Sequence, residues 1–378
     1  MSKSKIWLSS PHMGGTEFDY VQNAFDTNWI APVGPHIKLF EDKLSKKSKN
    51  YSVAALSSGT AAIHLALVLL GVSDGDEVLC SSFTFSASAN PIVYQRAKPI
   101  FIDSEHDTWN ICPNKLEEAI QSRLKAGKKP KAIIVVHLYG MPAKMNEIKA
   151  VACKFGIPII EDAAEGLGST YFNEPLGTLS DIGVFSFNGN KIITTSGGGA
   201  LISSNNDYIE KAKYLSTQAR DDAPHYEHSN IGFNYRLSNI CAAIGLGQLE
   251  VLDKRVKQRR SNYSFYKKVL SQSDKIQFLN EPDGFYSNRW LTTILLADYD
   301  SREKIRLALA EENIESRPLW KPMHLQPIFK DCLFFGDGIC DELYTRGLCL
   351  PSGSSLDESD LNRTTKAIYN VDCRSSFY

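Results

Sequence analysis

Short apolar runs alternate with helical patterns between about residues 50 and 205, and this alternation leaves few folds open. The runs are "DEVLC", "KPIFID", "KAIIVVH", "IPIIED" and "IGVFSF", and each has the length of a buried strand. The segments between them, such as "TAAIHLALVLLG" and "MNEIKAVACKFG", have helical patterns that end at a glycine. Strands that alternate with helices in this way predict an α/β fold with a largely parallel sheet.

The pattern changes after about residue 245. The stretch "GQLEVLDKRVKQRRSNYSFYKKVL" predicts a long, charged, amphipathic helix, and a looser mixture of helices and strands follows it. A chain of 378 residues also exceeds the usual size of a single core. We therefore expect a large domain with an N-terminal arm over residues 1–245 and a smaller α+β domain over residues 246–378.

Charge and hydropathy argue against several classes of function. The 42 basic and 43 acidic side chains nearly balance, so the chain has no general attraction to nucleic acid or to a lipid surface. The N-terminus lacks the apolar core of a signal peptide, and no apolar run is long enough to span a bilayer. The eight cysteines are scattered without a CxxC pair, which is typical of reduced thiols. We expect a cytoplasmic protein with no nucleic-acid or membrane partner.

The stretch "ALSSGTAAIHLAL" joins a turn of small residues to the start of a helix. Free backbone amides and the positive end of the helix dipole favour a phosphate there, and Gly59 would let it approach closely. The hydroxyl groups of Ser58 and Thr60 could add donors. The same residue types also serve as simple helix caps, so this stretch by itself leaves both interpretations open.

Carboxylates follow a predicted strand in "IPIIEDAAEGLGS", where Glu161, Asp162 and Glu165 stand at its carboxyl end. Open α/β sheets bind their ligands at this end of their strands. Asp162 is closest to the strand end, so we expect it to point inward towards a cationic group. The alternative is that these acids only stabilise the N-terminus of a helix.

Lys191 follows another predicted strand in "GVFSFNGNKIITTSGGGA". A phosphate site at a helix start, a carboxylate at one strand end and a lysine at another together indicate pyridoxal phosphate as cofactor. The lysine would form the Schiff base, the carboxylate would keep the pyridine nitrogen protonated, and the helix start would hold the phosphate. Gly197 to Gly199 would let the chain fold back where side chains would crowd it.

Motifs for other chemistry are weak. The glycines near Lys191 do not match a Walker A motif, and no dinucleotide fingerprint is present. His225 and His228 form an HxxH pair in a polar loop, but no third ligand stands nearby. We therefore predict no metal site.

Several blocks, taken together and in order, resemble the DegT/DnrJ/EryC1/StrS family of sugar aminotransferases. They cover nearly the whole chain and are "SSGTAAIHLAL", "FTFSASANPIVY", "PIFIDSEHDTWN", "EDAAEGLGS", "GVFSFNGNKIITTSGGGA", "GFNYRLSNICAAIGLGQLEVLD" and "SRPLWKPMH". The resemblance implies fold type I, the aspartate aminotransferase fold, with a mostly parallel sheet of the seven-stranded type in the large domain. It also implies a homodimer whose active sites are shared between the subunits.

The resemblance further implies a reaction. The blocks "SFNGNKIITTSGGG" and "STQARDDAPHYEHSNIGFNYRLSN" are most similar to the bacillosamine-pathway enzymes. Those enzymes move an amino group from L-glutamate to C4 of a UDP-linked 4-keto-6-deoxy-N-acetylglucosamine. The product would serve the biosynthesis of a surface glycan, such as lipopolysaccharide, or of a glycoprotein.

Residue by residue, the resemblance implies that Lys191 is the Schiff-base lysine and that Asp162 meets the pyridine nitrogen. It implies that Phe85 stacks on the ring and that Asn234 reaches the phosphate in the neighbouring subunit. The residues implied at the phosphate are Gly59, Thr60 and Ser186, with Ser58 as a further cofactor contact. One position departs from the pattern, because many relatives carry glutamine where Glu165 stands and use it near the cofactor's phenolic oxygen.

A nucleotide diphosphate needs local cations on a chain without net positive charge. The candidates are Arg220, Arg236, Arg317 and Lys321. Trp320 and His324 of "RPLWKPMH" are expected to line the sugar side. A structural role is an alternative at each of these positions.

Three alternatives to this function remain at the level of sequence. The first is amination of GDP-4-keto-6-deoxymannose, which would make the protein a GDP-perosamine synthase. The second is a sugar dehydratase on the same fold, which is disfavoured because such relatives replace the Schiff-base lysine with histidine. The third is a regulatory protein that keeps the fold without catalysis.

Overall fold

The computed structural model describes residues 3–374. Its α-helices, in chain order, are α1 (Glu17–Asp26), α2 (Pro35–Lys47), α3 (Gly59–Leu69), α4 (Asn90–Tyr94), α5 (Pro113–Lys125), α6 (Met145–Phe155), α7 (Asn206–Ser216), α8 (Asn239–Glu250), α9 (Leu252–Leu270), α10 (Tyr299–Glu311), α11 (Ile339–Arg346) and α12 (Glu358–Arg374). Its strands are β1 (Ser52–Leu56), β2 (Glu77–Ser81), β3 (Lys98–Ile102), β4 (Ala132–Val136), β5 (Ile159–Asp162), β6 (Thr170–Tyr171), β7 (Glu174–Pro175), β8 (Ile182–Ser186), β9 (Gly199–Ser203), β10 (Gln277–Phe278), β11 (Phe285–Tyr286), β12 (Thr292–Leu295), β13 (Arg317–Pro318), β14 (Phe334–Phe335) and β15 (Gly347–Leu350).

The large sheet has the strand order β1-β9-β8-β5-β4-β2-β3-β14. The pairings from β14 across to β8 are all parallel, and β9 is antiparallel to both of its neighbours. Seven of the strands come from residues 52–203, and the two-residue strand β14 extends the edge beside β3. The predicted α/β fold with a mostly parallel sheet is thereby confirmed.

The sheet lies between two apolar layers because alternate residues of each strand point to opposite faces. Ile133 and Val135 of β4 belong to one buried cluster, which also holds Leu116 and Ile148 of the helices α5 and α6. Ile134 of the same strand belongs to a second cluster, which includes residues of α3 and α7. Burial on both faces explains why the strands read as continuous apolar runs in the sequence.

The C-terminal part forms a smaller antiparallel sheet with the order β10-β12-β15-β13. Two strands of the C-terminal part also pair with strands of the N-terminal part. Strand β14 joins the large sheet, and β11 pairs with β6 in a three-stranded sheet. The proposed division between residues 245 and 246 falls within α8, and the two-domain organisation stays a prediction.

One predicted element differs in detail. The long helix expected from residue 247 onwards consists of the end of α8 and the whole of α9. The two helices are separated at Val251, whose φ of −106° and ψ of 3° depart from helical values. The apolar pattern continues across this residue, so the sequence gives no sign of the break.

Two further expectations concern membranes and cysteines. Within residues 3–374, no helix has both the length and the apolar character needed to cross a bilayer. Seven of the eight cysteines, those between Cys80 and Cys349, are free thiols.

The carboxyl ends of β1, β5 and β8 lie at the same edge of the large sheet. Leu56 at the end of β1 pairs with Gly199, which also pairs with Ser186 at the end of β8. Asp162 at the end of β5 pairs with Val184 of β8. The segments that follow these three strands are therefore neighbours, as the sequence pattern predicts for those after β5 and β8.

Candidate active site

A cavity of about 550 Å³ opens at this edge of the sheet. Its lining contains eight of the nine residues expected to contact a cofactor: Ser58, Gly59, Thr60, Phe85, Asp162, Glu165, Ser186 and Lys191. Arg317, Trp320 and Trp290 line it from the C-terminal part of the chain. The cavity therefore lies where the two parts of the chain meet.

The N-terminus of α3 forms one side of the cavity. Ser58 is the N-cap, and its side chain accepts a hydrogen bond from the amide of Ala61 at 3.0 Å. The first backbone bond of the helix runs from the amide of Ala62 to the carbonyl of Ser58. The amides of Gly59 and Thr60 precede that bond and have no acceptor within the helix. Such a helix start is suited to an anion.

Glycines permit the close approach of α3 to the sheet. A Cβ atom on Gly59 would lie 3.0 Å from the Cβ of Ser186, and one on Gly199 would lie 2.3 Å from the carbonyl carbon of Ser58. A Cβ on Gly198 would lie 2.2 Å from the Oγ1 of Thr195, whereas one on Gly197 would have open space around it. The crowding expected for the triple glycine therefore applies to its last two members.

Asp162 lies at the cavity with its carboxylate fixed by two donors. The hydroxyl of Ser88 donates to Oδ2 at 2.6 Å, and the amide of Ala164 donates to Oδ1 at 3.1 Å. Ser88 also contacts the hydroxyl of Thr84 at 2.8 Å. Asp162 is 4% exposed, so its carboxylate is both oriented and largely withdrawn from water.

Glu161 points to the other face of β5, because successive side chains of a strand alternate. It is fully buried, and its carboxylate accepts hydrogen bonds from the amides of Gly177 and Leu179. The Nε2 atom of His137 lies 2.9 Å from the same carboxylate. The expectation that Asp162 rather than Glu161 faces the ligand edge agrees with this geometry.

We expect Glu161→Ala to lower the free energy of unfolding by about 3 kcal/mol, because buried donors lose their acceptor. Urea denaturation of the variant and the wild type measures the difference. Glu118→Ala removes a carboxylate whose side chain is 58% exposed, and it should change stability by less than about 0.5 kcal/mol. Equal stability of the two variants would show that the Glu161 contacts contribute nothing.

Lys191 reaches the cavity from the turn after β8. Its amide donates to the carbonyl of Asn188 at 3.0 Å, which closes the "NGNK" turn. Its Nζ lies 3.4 Å from Oε1 of Glu165 and 4.2 Å from the centre of the Trp290 ring. The side chain of Lys191 is 13% exposed, so the amine is held inside the cavity rather than on the surface.

Glu165 is the acidic neighbour of Lys191. Its second oxygen accepts a hydrogen bond from the amide of Tyr139 at 2.7 Å. Burial raises the pKa of Glu165, and the nearby charge of Asp162 adds to the rise, while Lys191 and the Tyr139 amide oppose it. The carboxyl group therefore holds a proton more readily than an exposed glutamate does.

The structure places the predicted substrate residues in different locations. Arg317 and Trp320 line the cavity, and Arg317 also pairs with Glu315. Four of the predicted substrate residues lie outside the cavity lining: Arg220, Arg236, Lys321 and His324. Asn234, the expected contact across the subunit interface, also lies outside the lining and is exposed.

Three of the outlying side chains have contacts of their own. The guanidinium group of Arg236 donates to Glu41 and to the carbonyl of Ala55, and that of Arg220 lies over the ring of Tyr226. The ring nitrogens of His324 lie 2.7 Å from Ser82 Oγ and 3.2 Å from Asp341 Oδ1. His324 is therefore held between the two parts of the chain instead of facing the cavity.

His324 also belongs to a group of possible metal ligands. Among the described residues, this is the group with His324, Cys340 and Asp341. Both ring nitrogens of His324 already contact protein groups, so the histidine is satisfied without an ion. We assign no metal to this group.

Ser88 and Trp290 line the cavity, and the sequence did not indicate the contacts that they make there. Ser88 lies within the quoted block "FTFSASAN", but nothing in that block links it to Asp162. Trp290 stands in "SNRWLTTIL", a stretch that reads as an ordinary apolar segment. Both act through contacts with residues far away in the chain, and such contacts leave no local pattern.

The chemistry of this donor set fits pyridoxal phosphate. The amides at the start of α3 and the hydroxyls of Thr60 and Ser186 suit a phosphate, and the ring of Phe85 offers an apolar face. The fixed carboxylate of Asp162 suits a pyridinium nitrogen. The amine of Lys191 suits a carbonyl group.

Comparisons with known proteins agree with this fit. The model of the DegT/DnrJ/EryC1/StrS aminotransferase family matches residues 11–369. The chain is 52% identical, over 97% of its length and 96% of the relative's, to EpsN of Bacillus subtilis (strain 168), which carries the name of a pyridoxal phosphate-dependent aminotransferase. It is 36% identical to the GDP-perosamine synthase of Escherichia coli O157:H7, over 99% of this chain and 98% of the relative.

A solved structure shows the same fold. The crystal structure of a DegT DnrJ EryC1 StrS aminotransferase from Brucella abortus superimposes with a TM-score of 0.88 and 29% sequence identity. The match covers 94% of each chain, so both parts of the fold are shared.

Proposed function

The chain belongs to the DegT/DnrJ/EryC1/StrS aminotransferase family, and from this premise we propose that it aminates C4 of a UDP-linked 4-keto-6-deoxy-N-acetylglucosamine with L-glutamate as donor. Enzymes of the family are sugar aminotransferases that depend on pyridoxal phosphate. The observation that carries the proposal is the meeting of Lys191, Asp162 and the start of α3 in one cavity. The product is a nucleotide-linked 4-amino-4,6-dideoxy sugar for glycan biosynthesis.

Several residues of the cavity have a task in this reaction. The amides of Gly59 and Thr60, with the hydroxyl groups of Ser58, Thr60 and Ser186, bind the phosphate. Phe85 covers the ring of the cofactor. Asp162, oriented by Ser88, stabilises positive charge on the ring nitrogen.

Lys191 carries the proton in the proposed mechanism. Bound pyridoxal phosphate supplies an electron sink for the carbon from which a proton is removed. The Nζ of Lys191 takes that proton and returns it at another position, as a general base and then a general acid. Glu165 lies 3.4 Å from this amine, and its carboxylate stabilises the positive charge that the amine gains with the proton.

Arg317 and Trp320 are the substrate contacts supported by their position in the cavity wall. The guanidinium group of Arg317 suits a carboxylate or a phosphate, and the ring of Trp320 suits the apolar face of a sugar. Tyr139 fixes the segment that carries both, because its hydroxyl accepts a hydrogen bond from the amide of Trp320 at 2.9 Å.

A homodimer with shared active sites is also part of the proposal. Large apolar side chains of the N-terminal region are exposed, and they include Phe18, Phe25, Trp29, Ile30 and Val33. An exposed apolar surface of this extent is suited to burial against another subunit. The exposed Asn234 precedes Tyr235, whose carbonyl accepts a hydrogen bond from Ser57 of the cavity wall. Asn234 is thus available to a partner beside the site.

A second candidate is GDP-4-keto-6-deoxymannose. It is favoured by the 36% identity to GDP-perosamine synthases of Escherichia coli O157:H7 and of Caulobacter vibrioides. The two candidates differ in the nucleotide and in the substituent at C2 of the sugar. They share the 4-keto-6-deoxy group and the chemistry at C4.

A panel of UDP-, GDP- and dTDP-linked 4-keto-6-deoxy sugars tests the proposal. With L-glutamate present, we expect kcat/KM for the UDP-linked N-acetylglucosamine derivative to exceed the others by at least about 100-fold, or ~2.7 kcal/mol. Mass spectrometry and the ring stereochemistry of the product identify the site of amination. Reactions without glutamate are the controls. A preference for the GDP-linked sugar would replace the first candidate with the second, and no amination of any sugar would overturn both.

A further inference from the structure

The amine of Lys191 lies between two side chains that face it from different parts of the chain. Trp290, which is 1% exposed, presents its ring 4.2 Å from Nζ. Glu165 presents Oε1 at 3.4 Å. An aromatic face and a carboxylate are two groups that stabilise an ammonium ion in a site with little water.

The ring of Trp290 is fixed relative to the backbone of Lys191. Its indole N–H donates to the carbonyl of Asn190 at 2.8 Å, and Asn190 directly precedes Lys191. The hydroxyl of Ser9 donates to the same carbonyl at 2.7 Å. The position of the ring under the amine is therefore set by hydrogen bonds and not by packing alone.

Asn288 connects Trp290 to Glu165. The Oδ1 of its buried side chain accepts a hydrogen bond from the amide of Trp290, and its Nδ2 donates to the carbonyl of Glu165, both at 2.8 Å. One side chain thus links the backbones of the two residues that face Lys191. This arrangement exists only when the segment around residue 288 packs against the large sheet.

The energetic reason for such an arrangement lies in the cost of a buried charge. An ammonium ion withdrawn from water is strongly destabilised unless other groups compensate it. A cation–π contact is stronger when it is withdrawn from water, and the carboxylate adds a charge-assisted hydrogen bond. Together they stabilise the free, charged form of Lys191 in the cavity.

We propose that Trp290 and Glu165 form a docking site for the free ammonium group of Lys191, with Trp290 as a positioning residue for the proton transfer. The proposal rests on the proposed function, in which Lys191 is the catalytic amine. A lysine whose amine is free during part of each turnover must stay within reach of the proton that it moves. The docking site keeps it there.

Acetylation of the full-length, cofactor-free protein tests the docking site without any turnover. Acetic anhydride reacts with uncharged amines, and peptide mass spectrometry reports the extent at Lys191. We expect Trp290→Leu to raise the acetylation rate of Lys191 about tenfold, because the ammonium form loses its aromatic contact. Glu165→Gln should raise it by a similar factor, and Trp290→Phe, which keeps an aromatic face, should raise it far less.

Two controls separate charge from accessibility. Lys38, whose side chain is 81% exposed, is the internal reference, and its rate should be the same in every variant. Trp320→Leu opens the same cavity without removing the ring next to Nζ, so it should raise the Lys191 rate much less than Trp290→Leu does. Equal rates in wild type and Trp290→Leu, or equal rises in the two leucine variants, would overturn the docking site. Glu165→Gln supplies the same test if Trp290→Leu does not fold.

Turnover gives a second readout. Trp290→Leu should lower kcat with little change in the KM for the keto sugar, and Trp290→Phe should restore most of kcat. A higher KM with unchanged kcat would assign Trp290 to substrate binding and would overturn the positioning role. If the wild type aminates no sugar while the acetylation pattern is as expected, the docking site stands and the proposed function fails.

Discussion

Lys191→Ala is expected to give a folded protein without measurable turnover. In the proposed mechanism the substitution removes both the amine that binds the cofactor covalently and the group that moves the proton, so the loss should exceed the ~10⁴-fold upper range of acid–base catalysis alone. Formation of 2-oxoglutarate from L-glutamate measures the activity. Circular dichroism and thermal unfolding show whether the variant has the wild-type fold.

A matched control uses another lysine. Lys154 forms an ion pair with Glu117, and its side chain is 59% exposed, so Lys154→Ala should keep wild-type turnover. Appreciable 2-oxoglutarate formation by Lys191→Ala would remove Lys191 from the proposed mechanism. Such a result would also mean that the docking site has no role in catalysis, although the contacts of Lys191 with Trp290 and Glu165 would still exist.

Asp162→Asn is expected to lower kcat by about 100-fold, which corresponds to ~2.7 kcal/mol. Asparagine has nearly the same shape, its Oδ1 can still accept the hydrogen bond of the Ala164 amide, and its amide nitrogen can donate to the hydroxyl of Ser88. It carries no charge to stabilise a pyridinium nitrogen. The loss is comparable to that of a hydrogen bond to a charged group. Kinetics of 2-oxoglutarate formation measure it, and unfolding curves should show a folded variant.

Ser88→Ala is the matched comparison for Asp162→Asn. It keeps the carboxylate and removes only the donor that orients it, so we expect a loss of about tenfold, or ~1.4 kcal/mol. Wild-type turnover in Asp162→Asn would indicate that the carboxylate serves only as a cap for the amide of Ala164. A larger loss in Ser88→Ala than in Asp162→Asn would indicate that Ser88 itself contacts the reacting groups.

Much of the site could be read from strand ends. Asp162 and Lys191 each stand at the end of a predicted strand, and Gly59 stands at a predicted helix start. The carboxyl ends of parallel strands meet at one edge of a sheet, so residues at those positions are brought together by the fold class alone. The structure places all three in the lining of one cavity.

Substrate contacts were harder to predict. Arg236 and Arg317 both stand in blocks that resemble the family, yet Arg236 bonds to Glu41 and Ala55, while Arg317 lines the cavity. His324 was expected at the sugar and instead contacts Ser82 and Asp341. A charged or aromatic residue in a loop has no periodic pattern that would show its direction, so its partners decide it.

The sequence by itself determined the fold class, the family and the chemical types at two strand ends and at one helix start, because these follow from local hydrophobic periodicity and from the order of the motifs. Only the tertiary structure decided that Trp290 lies beside Lys191, that Ser88 orients Asp162, and that Asn288 holds Trp290 and Glu165 together. The physical reason is sequence separation. Trp290 and Lys191 are 99 residues apart, and their contact depends on how the C-terminal part packs against the sheet, which local patterns do not encode.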